Sequence, residues 1–132
     1  MPADPRCDDP DTVALVSASK RIAPIFPVRD LRASLAHYQR LGFIAREYEG
    51  GGYGYLTLDD VEIHLGVVNE VAAPASAYLF VEDAGEIARA WQSTGAEISM
   101  PVDTEWGRYE GAHVDPDGNV IRFGSPVKPL TS

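Results

Sequence analysis

The chain has one cysteine, Cys7, among 132 residues, so no disulfide can form within it and no thiolate cage can be assembled around a metal. That usage fits a reducing compartment, and a cytoplasmic protein is expected. No apolar run approaches the length of about 18 residues that a membrane-spanning helix requires, so no membrane partner is expected. The opening Met1-Pro2-Ala3-Asp4 lacks the basic segment of an export signal, and Thr12 to Ala18 is too short and mixed to serve as its apolar segment. Basic residues are scarce: 11 Lys and Arg against 20 Asp and Glu leave a net charge of −9. Such a balance argues against nucleic acid and allows a cationic partner, although it also serves plain solubility. No serine sits in a nucleophile elbow, and no glycine-rich segment has phosphate-loop spacing; Gly50-Gly51-Gly52 reads as a turn. No catalytic constellation stands without a metal.

What the chain does contain is a repeat. Val28-Arg29-Asp30 leads through an amphipathic stretch to Leu41-Gly42-Phe43, and Val81-Glu82-Asp83 leads through another to Thr94-Gly95-Ala96. Asp30 to Gly42 and Asp83 to Gly95 both span 12 positions, and the block recurs 53 positions later. A shared internal spacing points to a duplicated supersecondary unit within one domain of this length.

Ile22 to Val28 alternates as a strand, and Pro24 and Pro27 demote it to an edge or to a strand exchanged between subunits. Asp30 caps a helix with Leu31, Leu35, Tyr38 and Leu41 at helical spacing, and Gly42 ends it; His37 is expected on its solvent side. Phe43 to Tyr48, Tyr53 to Leu58 and Val61 to Leu65 follow as strands. The second half repeats the order: strand Ala77 to Val81, a helix capped by Asp83 with Glu86 in a capping box, then strands Glu97 to Val102, Tyr109 to Val114 and Asn119 to Gly124. The fold class is therefore α+β, with two βαβββ modules forming a curved sheet around a cleft. The expected organisation is a flexible leader over residues 1–20 and one domain over 21–124, followed by a tail over 125–132. Within the domain, module one covers 21–67, a linker 68–76 and module two 77–124.

The doubled βαβββ order, the Asp-capped helix ending in Leu-Gly-Phe and the Asp115-Pro116-Asp117-Gly118-Asn119 turn before the last strand resemble the vicinal oxygen chelate superfamily, which includes glyoxalase I, extradiol dioxygenases and bleomycin-resistance proteins. The resemblance covers about residues 21–124. It implies, for the metalloenzymes of the group, ligands at positions that here are Ala23, Ala77 and Arg122, with a further one in some members at His64. Two methyl groups and a guanidinium cannot coordinate a cation, so no metal or other cofactor is expected. The chain is similar in more detail to the bleomycin-resistance branch, through Trp106-Gly107-Arg108, an aromatic at Tyr53 where that branch has phenylalanine, and the Asp115 to Phe123 ending. That likeness implies a non-catalytic homodimer that sequesters a planar cationic antibiotic of the bleomycin or phleomycin type, stacking its flat rings between aromatics in shared clefts. The enzyme alternative is a lyase or isomerase of the glyoxalase type with a relocated metal at His64 with Glu62 or His113; a binder of another planar ligand also remains open.

The candidate ligand-binding residues are Tyr53, Trp106, Glu47, Tyr48, Arg108, His64 and Arg122. Tyr53 and Trp106 would stack on planar rings. Glu47 and Tyr48 would form an acidic, aromatic rim for an ammonium or amide donor, and Arg108 would bond a carbonyl or bridge to a partner subunit. In the alternation of Val61, Ile63 and Leu65 against Glu62, His64 and Gly66, His64 faces the cleft, where it and Arg122 would form a polar floor.

Overall fold

The computed structural model describes residues 20–127. The leader through residue 19 and residues 128–132 of the tail lie outside the described residues.

Strand β1 (Ile25–Val28), helix α1 (Leu31–Arg40) and strands β2 (Ile44–Glu47), β3 (Tyr53–Leu58) and β4 (Val61–Val67) make the first module. Strand β5 (Ser76–Phe80), helix α2 (Ala84–Gln92) and strands β6 (Ile98–Asp103), β7 (Arg108–Val114) and β8 (Val120–Pro126) make the second. Each module builds a four-stranded sheet, in the orders β1-β4-β3-β2 and β5-β8-β7-β6. In both, the first strand runs parallel to the last, and the other pairs are antiparallel. This is the α+β architecture of doubled βαβββ units expected from the repeat. The proline-bearing first strand lies at a sheet edge, where a missing amide donor does no harm.

Local chemistry explains the helices. Asp30 and Asp83 are both extended caps, accepting from the amides of Ala33 and of Gly85 and Glu86, respectively. Gly42 and Gly95 take φ of +107° and +89° to leave the helix ends, a region that L side chains rarely enter.

The helix-side faces of both sheets share one core. Phe26, Val28, Leu56 and Leu65 from the first module and Ile121 and Phe123 from the second are all buried. Trp91 of α2 meets Phe43 at 6.2 Å and Phe123 at 5.5 Å between ring centroids, so the core is continuous between the modules. Gly111 allows the close packing on β7: a Cβ there would lie 2.7 Å from the Phe123 ring and from the Ser99 carbonyl.

The Asp115 turn, readable in sequence only as good turn chemistry, proves to be the polar clamp between the modules. The buried Asp115 carboxylate accepts from Tyr38 Oη of α1 (2.7 Å), the amides of Asp117 and Asn119 (both 2.9 Å) and Asn119 Nδ2 (3.0 Å). Asn119, fully buried, also donates to the Pro27 carbonyl of β1 at 2.9 Å and accepts from the Ala75 amide at 2.9 Å. Arg29 adds an ion pair to Asp117 at 2.8 Å. Beside this clamp, His37 is not on the solvent side as expected. Its Nε2 meets Nε2 of the buried His113 at 2.9 Å with the rings stacked, and His113 Nδ1 bonds the Glu97 carbonyl at 2.8 Å. The helical spacing did place Tyr38 inside; the neighbouring second module then covers His37 as well. Among the described residues no helix is long and apolar enough to cross a membrane.

Candidate functional site

Because the helices cover one face of each sheet, strand alternation turns the other side chains to an open face. On the first sheet the open face carries Tyr53 and Tyr55 of β3, Glu62 and His64 of β4, Arg46 of β2 and Ile25 of β1, aligned by the pairs Ile25↔His64, Tyr55↔His64 and Arg46↔Tyr55. The rings of Tyr53, Tyr55 and His64 stand edge to face, with centroids 5.0 to 5.6 Å apart. Arg46 lies over the Tyr55 ring at 4.3 Å. His64 is bonded at both nitrogens, to Tyr53 Oη at 2.7 Å and to Glu62 Oε2 at 2.5 Å, and Arg21 donates to Glu62 Oε1 at 2.7 Å. The bond from His64, then the Arg21 and His64 charges, hold the Glu62 carboxyl below its ordinary range. An open pocket of about 570 Å³ lies beside this chain, lined by Arg21, Ile22, Ala23, Asp60, Glu62 and His64.

On the second sheet the open face carries Tyr78 and Phe80 of β5, Arg108 and Glu110 of β7 and Arg122 of β8, with Trp106 in the turn before β7. Glu110 Oε2 accepts from Tyr78 Oη at 2.6 Å and from Trp106 Nε1 at 3.1 Å, and these bonds lower its proton affinity. Burial and the bond to Glu110 in turn push the Tyr78 hydroxyl up. Arg108 donates to the Gly124 carbonyl at 2.8 Å and lies 5.3 Å from the centre of the Phe80 ring. Phe80 is 75% exposed and Trp106 68% exposed, so this face offers bare aromatic surface edged by an ionised carboxylate. Gly124 makes room for it, since a Cβ there would collide with the Tyr78 hydroxyl.

Five of the seven candidates are thus distributed over the two open faces. Tyr53 and His64 stand together on the first; Trp106, Arg108 and Arg122 stand together on the second. His64 and Arg122 occupy equivalent places on the two sheets, each opposite the open-face residue of its edge strand, Ile25 and Tyr78. Tyr48 lies at the hairpin mouth, its amide donating to the Tyr53 carbonyl at 2.8 Å and its ring over Gly50. Glu47 departs from the expected rim: its partner is the buried Gly54, so it points to the helix side of the strand, and Arg46 takes the open face instead. Sequence reasoning passed over Tyr55, Arg46, Tyr78, Phe80 and Glu110. Period-two alternation from Tyr53 and Arg108 would have reached Tyr55 and Glu110; Tyr78 and Phe80 needed the register of the edge strand.

The profile of the Glyoxalase/Bleomycin resistance protein/Dioxygenase superfamily matches residues 20–123. The chain belongs to that superfamily. A bleomycin resistance protein of Klebsiella pneumoniae is 32% identical over 112 residues, covering 76% of this chain and 87% of the relative. A bleomycin-binding protein solved in complex with bleomycin superposes with a TM-score of 0.73 at 28% identity, covering 83% of this chain and all of that one. A bleomycin resistance determinant encoded on the transposon Tn5 gives 0.75 at 26%, with the same coverage.

The metal positions implied by the superfamily can be tested against this geometry. Ala23 lines the pocket beside His64, Arg122 brings a fixed positive charge, and Ala77 pairs with Ile121 and packs against the core, leaving Tyr78 as the open-face residue of β5. Neither methyl offers a lone pair, and both nitrogens of His64 are already engaged. Among the described residues, no three of His, Cys, Asp and Glu are grouped to hold an ion. These residues do not fit the metal of the superfamily's enzymes.

Proposed function

We propose that this chain is a non-catalytic cytoplasmic binding protein that sequesters a planar, cationic antibiotic of the bleomycin type. The observation that carries the reading is the second sheet's open face, where Tyr78 and Trp106 bond the ionised Glu110 and the exposed Phe80 packs beside Tyr78. Exposed aromatic rings offer stacking worth roughly 0.5 to 1.5 kcal/mol per pair beyond buried area, and the carboxylate favours a positively charged neighbour. The relatives named for bleomycin resistance and bleomycin binding support the same ligand class. Protection then follows by mass action, since bound drug is withheld from its target, and no bond need be made or broken.

A homodimer completes the site. Each open face supplies one wall, and large apolar residues such as Ile25 and Ile44 on one and Phe80 and Val102 on the other stand exposed in the single chain. Pairing the first face of one copy with the second face of its partner would enclose a planar ligand between aromatic walls. The net charge of −9 would speed encounter with a cation and make association slower as salt is added. Titration calorimetry with bleomycin, alongside the mass of the protein in solution, tests both parts. Saturable binding at one ligand per cleft is expected; absence of binding heat removes the antibiotic reading, and a monomeric mass under binding conditions removes the shared cleft.

A further inference from the structure

His64 bridges Glu62 and Tyr53, and the direction in which those two hydrogen bonds run decides what the first face can recognise. Glu62 accepts from Arg21 as well as from His64, and its carboxyl is held low, so it is an ionised acceptor that carries no proton of its own. The Nε2 of His64, 2.5 Å away, must then carry the hydrogen. In a neutral imidazole this leaves Nδ1 as a lone pair. Against that lone pair Tyr53 Oη, 2.7 Å from Nδ1, is the donor, and its single hydrogen is spent inward. What Tyr53 turns to the open face is therefore an oxygen with lone pairs and no hydrogen.

We infer that, with the His64 imidazole neutral, the Arg21–Glu62–His64–Tyr53 relay makes the Tyr53 hydroxyl an obligate acceptor, so that the site selects planar ligands carrying an N–H donor at the ring edge and discriminates against analogues that lack one. This rests on the ligand-binding reading above and narrows it. The chain is not a requirement of the repeat, because the equivalent positions on the second sheet hold Glu110, Arg122 and Val120 and build no such relay. Nor is it a burial necessity: His64 and Glu62 line an open pocket, where water could satisfy both. A phenylalanine at position 53 would keep the stacking ring and lose the discrimination.

Two measurements on the full chain test this. In the free protein, nitrogen-15 NMR of His64, recorded well above the ordinary imidazole range, should show Nε2 protonated and Nδ1 bare; the opposite tautomer overturns the inference. Binding of 2-aminobenzothiazole and 2-methylbenzothiazole, equal in shape and unequal in donors, is then compared by chemical-shift titration. The wild type should prefer the amino compound by roughly three- to tenfold, the size of one net hydrogen bond. Tyr53→Phe should bind both equally. Glu62→Gln, whose amide can donate to Nε2 and so reverse the tautomer, should lose the preference while leaving the ring in place. A preference that survives Tyr53→Phe, or a wild type that shows none, including one that binds neither probe, sinks the proposal. If bleomycin fails in calorimetry while the tautomer and the amino preference hold, the antibiotic reading falls and this inference stands.

Discussion

Replacing Tyr38 by phenylalanine isolates the clamp between the modules. The Tyr38 ring is fully buried, edge-on to Phe43 at 5.6 Å and to His113 at 6.4 Å, and phenylalanine keeps those contacts. Only the hydroxyl is lost, and with it the 2.7 Å bond to Asp115, which retains the Asp117 and Asn119 donors. A hydrogen bond to a charged acceptor contributes about 1.5 to 3 kcal/mol, so a loss near 2 kcal/mol is expected, or a fall in Tm of roughly 5 to 10 °C for a domain of this size. Urea unfolding at fixed protein concentration should show a lower midpoint with an unchanged slope. Combined with Asp115→Asn, the double mutant should cost less than the sum of the singles, because both remove the same bond. Burial, then Asp115, pushes the Tyr38 hydroxyl above its ordinary value. Its contribution is therefore complete below the ordinary tyrosine value of about 10 and shrinks as pH rises beyond it. A loss under about 0.5 kcal/mol, or strict additivity with Asp115→Asn, refutes the clamp.

The His37–His113 pair predicts acid sensitivity: burial, then His113, lowers the His37 pKa, so below the ordinary value of 6.5 the unfolded chain binds more protons and stability falls with pH. His37→Gln keeps a donor but does not titrate, and its Tm should decline less between about pH 7 and 5. Trp106→Ala removes a largely exposed ring and should leave stability within about 0.5 kcal/mol while weakening bleomycin binding about tenfold in calorimetry. Gly111→Ala forces a methyl against Phe123 and the Ser99 carbonyl and should cost about 1 to 3 kcal/mol by denaturant midpoint; a neutral result would mean that the two sheet strands part more easily than their packing implies.

The amino-acid sequence by itself determined the elements and their order. Two caps, Asp30 and Asp83, two terminating glycines and period-two strands are local signals, set by backbone hydrogen bonding and side-chain alternation within a few residues. The same local logic put His64 on the open face and both prolines of the first strand at or beside an edge. What it could not reach were partnerships across long separations. Asp115 and Asn119 read as turn formers, yet they hold Tyr38 and Pro27 from 77 and 92 positions away. His37 looked solvent-facing because its helix alone would leave it so; the other module covers it. Glu47 and Arg46 exchange faces according to where β2 ends and which residue pairs with Gly54, and a slip of one residue in that register reverses every side chain on the strand. The aromatic face of Tyr78, Phe80 and Trp106 exists only once β5 lies parallel to β8 and the Trp106 turn folds over Glu110. Only the tertiary structure decides which distant groups share a proton or a ring edge, because non-local pairing depends on how the two halves close on one core.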